Sequence, residues 1–431
     1  MSAPITVYGD VDPRAVEQLR RCADAGDALR AALCADGHVG YSQPIGGAIA
    51  YPDHISPSGV GYDIACGNKA VRTDLLAEDV RPRLPGIMDA ISARISFGLG
   101  RRNDEPVEHP VLEKIRTADF APQRRLHDLA ARQLGTVGGG NHYVDLFEGD
   151  DGHLWVGVHF GSRGFGHKTA SGFLALAAGR RFDEHVPERG MDSPPTLLHV
   201  DSELGQAYIA AMRLAGDYAY AGRDTVVAKV LGILGARSTY EVHNHHNFAW
   251  RERHFGTDVW VIRKGCTPAF PGQEGFVGAT MGEPSVILRG AETEAGRELL
   301  YSTVHGAGRV MSRRQAAGRR RRRWACNNRE CDWVQPPRSP KPRRCPRCGG
   351  TSMSKRWVED ARGAIDYGAV QQQLARAGIE LRGGAADEAP DAYKRLDAVL
   401  AAHGDTIEIV HRLIPMGVAM AGADTLDPYR D

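Results

Sequence analysis

The stretch His305-Gly306-Ala307-Gly308-Arg309 sets one histidine among small residues, where a bulky ligand can reach its ring nitrogen. Such a nitrogen can act as a nucleophile. Alone, the stretch reads more readily as a turn. Four further polar islands carry compatible chemistry. In Gly61-Tyr62-Asp63-Ile64-Ala65-Cys66-Gly67-Asn68 a carboxylate and a thiol stand three residues apart. They can meet one metal ion if the backbone turns, and a thiolate with a carboxylate suits a borderline divalent ion. The plain alternative is a buried cysteine beside a turn aspartate. Gly138-Gly139-Gly140-Asn141-His142 offers backbone N–H groups for phosphate, an amide and an imidazole. His159-Phe160-Gly161-Ser162-Arg163-Gly164 offers an imidazole for metal and a fork-shaped phosphate donor. His243, His245 and His246 form a short histidine tract, a recognised metal signal, though not every member need be a ligand. Arg263-Lys264-Gly265 adds positive charge nearby. Together the islands suit a two-metal phosphoryl-transfer site, where cations and fixed donors hold charge on phosphate oxygens.

The elements that must position these groups are mixed. Asp12-Pro13 predicts an N-cap and a first helical proline, with an amphipathic helix to about Leu33. Residues 36–68 read as loops and short strands, and 120–133 as a helix. Leu154–His159 alternates as a strand, and 201–233 reads as one long helix or two shorter ones. Val259–Ile262 and Val286–Leu288 read as buried strands, and Asp391–Ala402 and Ile407–Leu413 as helices. Without regular strand–helix alternation, internal repeats or heptads, the pattern predicts an irregular α+β domain.

Hydrophobic content of 42% is ordinary for a globular protein, and no apolar run approaches the roughly 20 residues of a membrane span. The first residues lack the basic and apolar regions of a signal peptide, so the expected location is the cytoplasm, with no membrane partner. A net charge of +1 says nothing about nucleic acid, but its distribution does. Arg319–Arg323 are continuous, Arg309, Arg313 and Arg314 precede them, and Arg338, Lys341, Arg343, Arg344, Arg347, Lys355 and Arg356 follow. Such a block suits a phosphate backbone or a solvated loop. Cys22, Cys34, Cys66 and Cys266 are scattered, whereas Cys326, Cys331, Cys345 and Cys348 cluster. In a cytosolic chain the cluster suggests metal rather than disulfides. The shift in composition from about 318 to 357 marks residues 319–356 as an insertion into a catalytic domain made of 1–318 and 357–431. Its two cysteine pairs predict a four-cysteine zinc-ribbon module with structural Zn²⁺. Trp324, Trp333 and Trp357 among the arginines suit RNA, and the ribbon could equally bind a protein.

Taken in order, the islands resemble the RtcB family of RNA-splicing and RNA-repair ligases. The resemblance spans nearly the whole chain outside the insertion and implies a single large catalytic α+β domain with mixed sheets around a central metal cleft. It includes Asp36-Gly37-His38, Asp63-x-x-Cys66-Gly67, Asn141-His142, His159 to Arg163, His246-Asn247, Arg263-Lys264-Gly265, Met281-Gly282, His305 to Arg309 and Asp387-Glu388-Ala389-Pro390-x-Ala-Tyr393-Lys394. It implies GTP- and Mn²⁺-dependent joining of an RNA 3′-phosphate or 2′,3′-cyclic phosphate end to a 5′-hydroxyl end. His305 would carry the guanylate. Asp63, Cys66, His142, His159 and His246 would hold two Mn²⁺ ions, with the cysteine between them. Asn141, Asp145, Asn247, Thr280, Ser285, Gly306 and Gly308 would contact the nucleotide, and Arg163 and Arg309 phosphate or RNA. Some family members use an archease-like helper protein.

The chain departs from the family pattern at Phe160 (usually serine), Asp145 (usually glutamate) and Thr280 (usually serine). A terminal Lys-Gly that contacts guanine is replaced by Met420-Ala421-Gly422, and Arg430 in the tail is a candidate substitute. The altered pocket keeps two other readings in play. One is a metal-dependent RNA cyclic phosphodiesterase without ligation. The other is a non-catalytic RNA-binding protein.

Overall fold

The computed structural model describes residues 2–184, 186 and 190–423; Arg430 lies outside the described residues. Two sheets carry the chain. One has the order Ile5–Val7, Arg30–His38, Ile45–Tyr51, Thr257–Lys264, Asn247–His254. The other has eight strands. Its path runs Glu274–Val277, Ser285–Gly290, Ile407–Gly422, Tyr143–Gly149, His153–Phe160, Gly67–Leu76, Ser238–His245, with Glu380–Gly384 added beside Ile407–Gly422. Helices segregate from the sheets, so the domain is α+β as expected.

One helix, Glu203–Leu234, fills the span read as one helix or two. Ser202 caps its start by accepting from the Gly205 N–H, and Gly235 ends it in the left-handed conformation. Its two halves serve different cores. Tyr208, Met212 and Tyr218 pack with Leu19, Tyr51, Phe165 and Ile262. Val226, Val227 and Val230 pack with Val71, Val156, Val158 and Phe160 beneath the eight-stranded sheet. Burying an aliphatic side chain of this kind is worth about 1.5–3 kcal/mol, so the helix locks the sheet that bears the cleft.

Several elements differ from expectation. The first helix has the predicted Asp12 cap and first-turn proline but ends at Ala25, and Arg30–His38 is a strand. Alanine and leucine at 31–33 favour a helix in isolation, yet the strand pairs on both sides and is buried throughout its centre. Ile407–Leu413 is likewise the start of a 16-residue strand, Ile407–Gly422. It pairs with Ser285–Gly290 and then with Tyr143–Gly149, and these distant partners override local preference. The helix expected over 120–133 is broken into Ala121–Arg124 and His127–Gln133. That expected over Asp391–Ala402 narrows to Leu396–Ala401 after a single turn at Pro390–Ala392.

Arg319–Cys326 and Met353–Ala361 pair as an antiparallel hairpin that joins neither large sheet. Cys326, Cys331 and Cys345 are buried at its tip, with Trp333 packed against them.

Candidate metal and nucleotide cleft

Sheet register assembles the site. Across neighbouring strands Tyr143 pairs with His159, His159 with Asn68, and Gly67 with His245. His142, Cys66 and His246 each adjoin a member of this row, so residues far apart in sequence reach one end of the sheet together. Gly67 must be glycine there, because a Cβ would lie 2.1 Å from the Asn244 carbonyl oxygen. The loop before this strand turns through Ala65 at φ 58°, a left-handed conformation that costs a non-glycine residue energy and that brings Asp63 back over Cys66.

The five groups form two overlapping sets, Asp63–Cys66–His142 and Cys66–His159–His246, each with its donor atoms within 4.8 Å of one another. Cys66 Sγ stands 3.6 Å from His142 Nε2 and 3.4 Å from His159 Nε2, and His142 Nε2 lies 3.1 Å from Asp63 Oδ2. With metal–nitrogen bonds of about 2.0–2.1 Å and metal–sulfur bonds of about 2.3 Å, ligands on one ion stand at roughly these separations. His159 is oriented by its Nδ1, 2.7 Å from Asn68 Oδ1, which aims Nε2 at the thiol. The donor set therefore fits metal ions.

Charge within the set is strongly perturbed. Burial would raise the Asp63 pKa, but the hydrogen bond and charge of His142 bring it down to about 2. Burial, reinforced by Asp63, drives the Cys66 thiol well up. Burial and neighbouring imidazoles push His159 and His246 well down, so both rings are neutral and able to ligate.

His305 stands beside this set, its ring 4.9 Å from that of His246. Asp36, fully buried, accepts from the His305 backbone N–H at 3.0 Å and lies 2.6 Å from Nδ1. This contact leaves Nε2 as the nitrogen with a free lone pair. Gly308, at φ 77°, lets the loop close on Asp36; a Cβ there would lie 2.3 Å from the Asp36 carbonyl oxygen.

The cleft has a volume of about 300 Å³ and is lined by all five metal-type residues, His305, Asn141, Asp145, Asn247, Thr280, Gly306, Gly308 and Arg309. Tyr143 Oη, Asp145 Oδ1 and Thr280 Oγ1 face burial without a hydrogen-bond partner among the described residues. Such groups are costly unless a ligand completes them. Burial raises the Asp145 carboxyl pKa well above its usual range.

Other expected residues sit differently. Ser285 is behind the cleft wall, accepting from the Ala279 N–H. Arg163 is buried to one side of the cleft, opening a helix at φ 53°. Arg309 is engaged by Tyr393 and the Asp387 carbonyl. Arg263 is fully buried on Glu252, and Lys264 donates to the Tyr41 carbonyl, so neither sends its charge into the cleft. Met420 lines the cleft, while Ala421, next along the strand, does not.

The family model described as tRNA-splicing ligase RtcB matches residues 18–121 and 107–332. The chain belongs to the RtcB family. It is 30% identical to the RNA-splicing ligase RtcB of Escherichia coli K12 over 89% of this chain and 88% of that protein. It is 30% identical to the tRNA-splicing ligase RtcB of Archaeoglobus fulgidus over 94% of this chain and 90% of that protein. For the Thermococcus kodakarensis tRNA-splicing ligase RtcB the identity is 29%, over 89% and 86%.

Asp36 and Arg223 are positioning residues that reading the sequence did not single out. Asp36 fell inside the resemblance without a role. Arg223 has no motif signal. It is fully buried on the long helix and donates to the carbonyls of Ala65 and Phe160, the residues next to Cys66 and His159. It also engages His243 and His245, which removes both from the metal set. Arg313 and Glu388 are further cleft residues, paired with each other.

At the hairpin tip the four cysteine sulfurs lie within 4.8 Å of one another. Cys326 is 3.5 Å from Cys348, and Cys331 is 3.6 Å from Cys345. Burial opposes ionisation of Cys345, but backbone N–H groups of Cys348 and Arg347 bring its pKa down to about 7. Four thiols in this arrangement fit one soft divalent ion. Among the described residues no helix is long and apolar enough to cross a membrane.

Proposed function

We propose that this protein is a GTP- and Mn²⁺-dependent RNA ligase. It joins a 3′-phosphate or 2′,3′-cyclic phosphate end to a 5′-hydroxyl end, in RNA repair or tRNA splicing, and it works in the cytoplasm. The observation that carries the reading is the pairing of Asp36 with His305 Nδ1 beside a thiol shared by two ligand sets. Asp63, Cys66 and His142 would hold one Mn²⁺, and Cys66, His159 and His246 the other. When bound, the ions supply positive charge against phosphate oxygens.

His305 Nε2 attacks the α-phosphorus of GTP, forming a P–N bond as pyrophosphate leaves. Asp36 holds the ring in place and balances the positive charge that it gains. Asp145, Thr280 and Tyr143 offer the unpartnered atoms to the nucleotide, with Asn141, Asn247, Gly306 and Gly308 around it. Ser285 supports the loop that carries Thr280. Arg309 and Arg163 bring positive charge to the phosphate side. GMP passes from His305 to the RNA 3′-phosphate, and the 5′-hydroxyl then displaces GMP to form the phosphodiester. A cyclic end is first opened to the 3′-phosphate. Residues 1–318 and 357–431 make up the catalytic part. Residues 319–356 are an inserted module whose Cys326, Cys331, Cys345 and Cys348 hold structural Zn²⁺, and its second strand runs on to Ala361. An archease-like helper would act on the guanylylation step.

Intact-protein mass spectrometry after incubation with Mn²⁺ and each of the four NTPs tests this reading. The expected result is a GMP adduct with GTP alone that disappears in His305→Ala. An adduct from several nucleotides would show that the pocket has relaxed its choice of base. Absence of any adduct, with cyclic phosphate still opened, would replace the ligase with a phosphodiesterase.

A further inference from the structure

The hairpin leaves the rim of the cleft. Arg313 lines the cleft, the short helix Arg313–Ala317 stops at Gly318, and the first hairpin strand begins at the next residue. Residues 319–361 hold thirteen Lys and Arg against four Asp and Glu, in a chain whose net charge is only +1. The segment stays strongly cationic even with four thiolates on one divalent ion.

Register sorts its side chains. Residues directly opposite in an antiparallel pair share a face. Arg322 is opposite Trp357, and Trp324 is opposite Lys355. One face therefore carries two indoles between cations. Lys341 Nζ lies 3.9 Å and Lys355 Nζ 5.7 Å from the Trp324 ring centroid. Trp357 is 47% exposed, unusual for so large an apolar ring, whereas Trp333 is committed to the cysteine cluster. On the other face Arg319, Arg321 and Arg323 converge on Asp360 and, with Arg338 and with Arg322 reaching round from the strand, line a cavity of about 650 Å³. One carboxylate among five guanidinium groups leaves an excess of donors.

We infer that this hairpin is a docking strip for single-stranded RNA, with bases on the Trp324–Trp357 face and backbone phosphate at the Arg338 side. The inference rests on the ligase reading only in taking the strand to be the substrate's own. The exposed Trp357 indole beside the half-buried Trp324, both flanked by cations, suits unstacked bases, whereas a duplex hides its base faces. The density of arginine matches a polyanion rather than a mixed protein surface.

The test is fluorescence anisotropy of the full-length, zinc-loaded protein with a short single-stranded oligoribonucleotide and with the same strand annealed to its complement. Trp357→Ala should weaken single-strand binding about fivefold to a hundredfold and duplex binding far less, with Trp357→Phe retaining most of the affinity. Trp357 is exposed, so loss of folding is not expected, and circular dichroism checks it. Arg338→Ala should weaken binding and reduce the slope of log affinity against log salt by about one. Single-strand affinity within twofold of wild type in Trp357→Ala would overturn the inference and hand the face to a protein partner. Equal loss for single strand and duplex would overturn it too. GTP adduct formation by the wild type, measured without RNA, reports separately on the ligase reading. An adduct with no Trp357 effect removes only the docking strip, and a Trp357 effect with no adduct removes only the ligase.

Discussion

Cys66 and Cys331 are both buried thiols with further donor atoms about 3.5 Å away. The companions of Cys66 come from segments spread between Asp63 and His246, and strands that pair across the eight-stranded sheet bring them together. Those of Cys331 come from Cys326 to Cys348, within one hairpin tip. The first set mixes carboxylate, thiol and imidazole and opens on a cleft. The second is all thiol and leaves a tetrahedral ion no free position. A site built by long-range register depends on the whole core, whereas one built locally depends on its ion.

The largest expected effect separates the cleft from everything else: His305→Ala should lose the GMP adduct entirely, read by intact mass. Next, Cys66→Ser should cut adduct formation by at least ~100-fold, because both ligand sets lose their shared member. Cys331→Ser should release zinc, measured by elemental analysis, while reducing the adduct far less. Equal adduct loss in the two variants would break the contrast between the sites. Arg223→Met should weaken Mn²⁺ binding by about 10- to 100-fold in calorimetry, with Arg223→Lys intermediate, since the Ala65 and Phe160 carbonyls lose their anchor. A metal affinity equal to wild type would assign Arg223 to stability alone. The smallest effects come from glycines. At Gly161 a Cβ would lie 2.2 Å from Asp63 Oδ1, and at Gly350 3.4 Å from Cys348 Sγ. Gly161→Ala should therefore weaken Mn²⁺ binding severalfold, and Gly350→Ala should leave zinc retention within twofold.

Much of the site was legible because its chemistry is concentrated in short islands. Asp63 with Cys66, His142, His159, His246 and His305 each sit where glycines or a strand end mark a turn. The fold was less legible where composition and partners disagree. Ala31–Ala35 and Ile407–Leu413 have helix-compatible sequences and become strands through pairing with residues far away. Cys34 and Cys266, scattered in sequence, end 3.3 Å apart in the core, and nothing in their local context announces it.

The sequence by itself determined the family, the α+β class, the positions of the metal-type residues and of His305, and the four clustered cysteines. Each is a matter of residue type at short spacing. Tertiary structure alone decided that Asp36 holds His305, that Arg223 ties down the backbone beside Cys66 and His159 and withdraws His243 and His245, and that Trp333 is structural while Trp357 is exposed. The physical reason is that these roles belong to contacts between distant segments. Strand register and burial set such contacts, and no local pattern of residues encodes them.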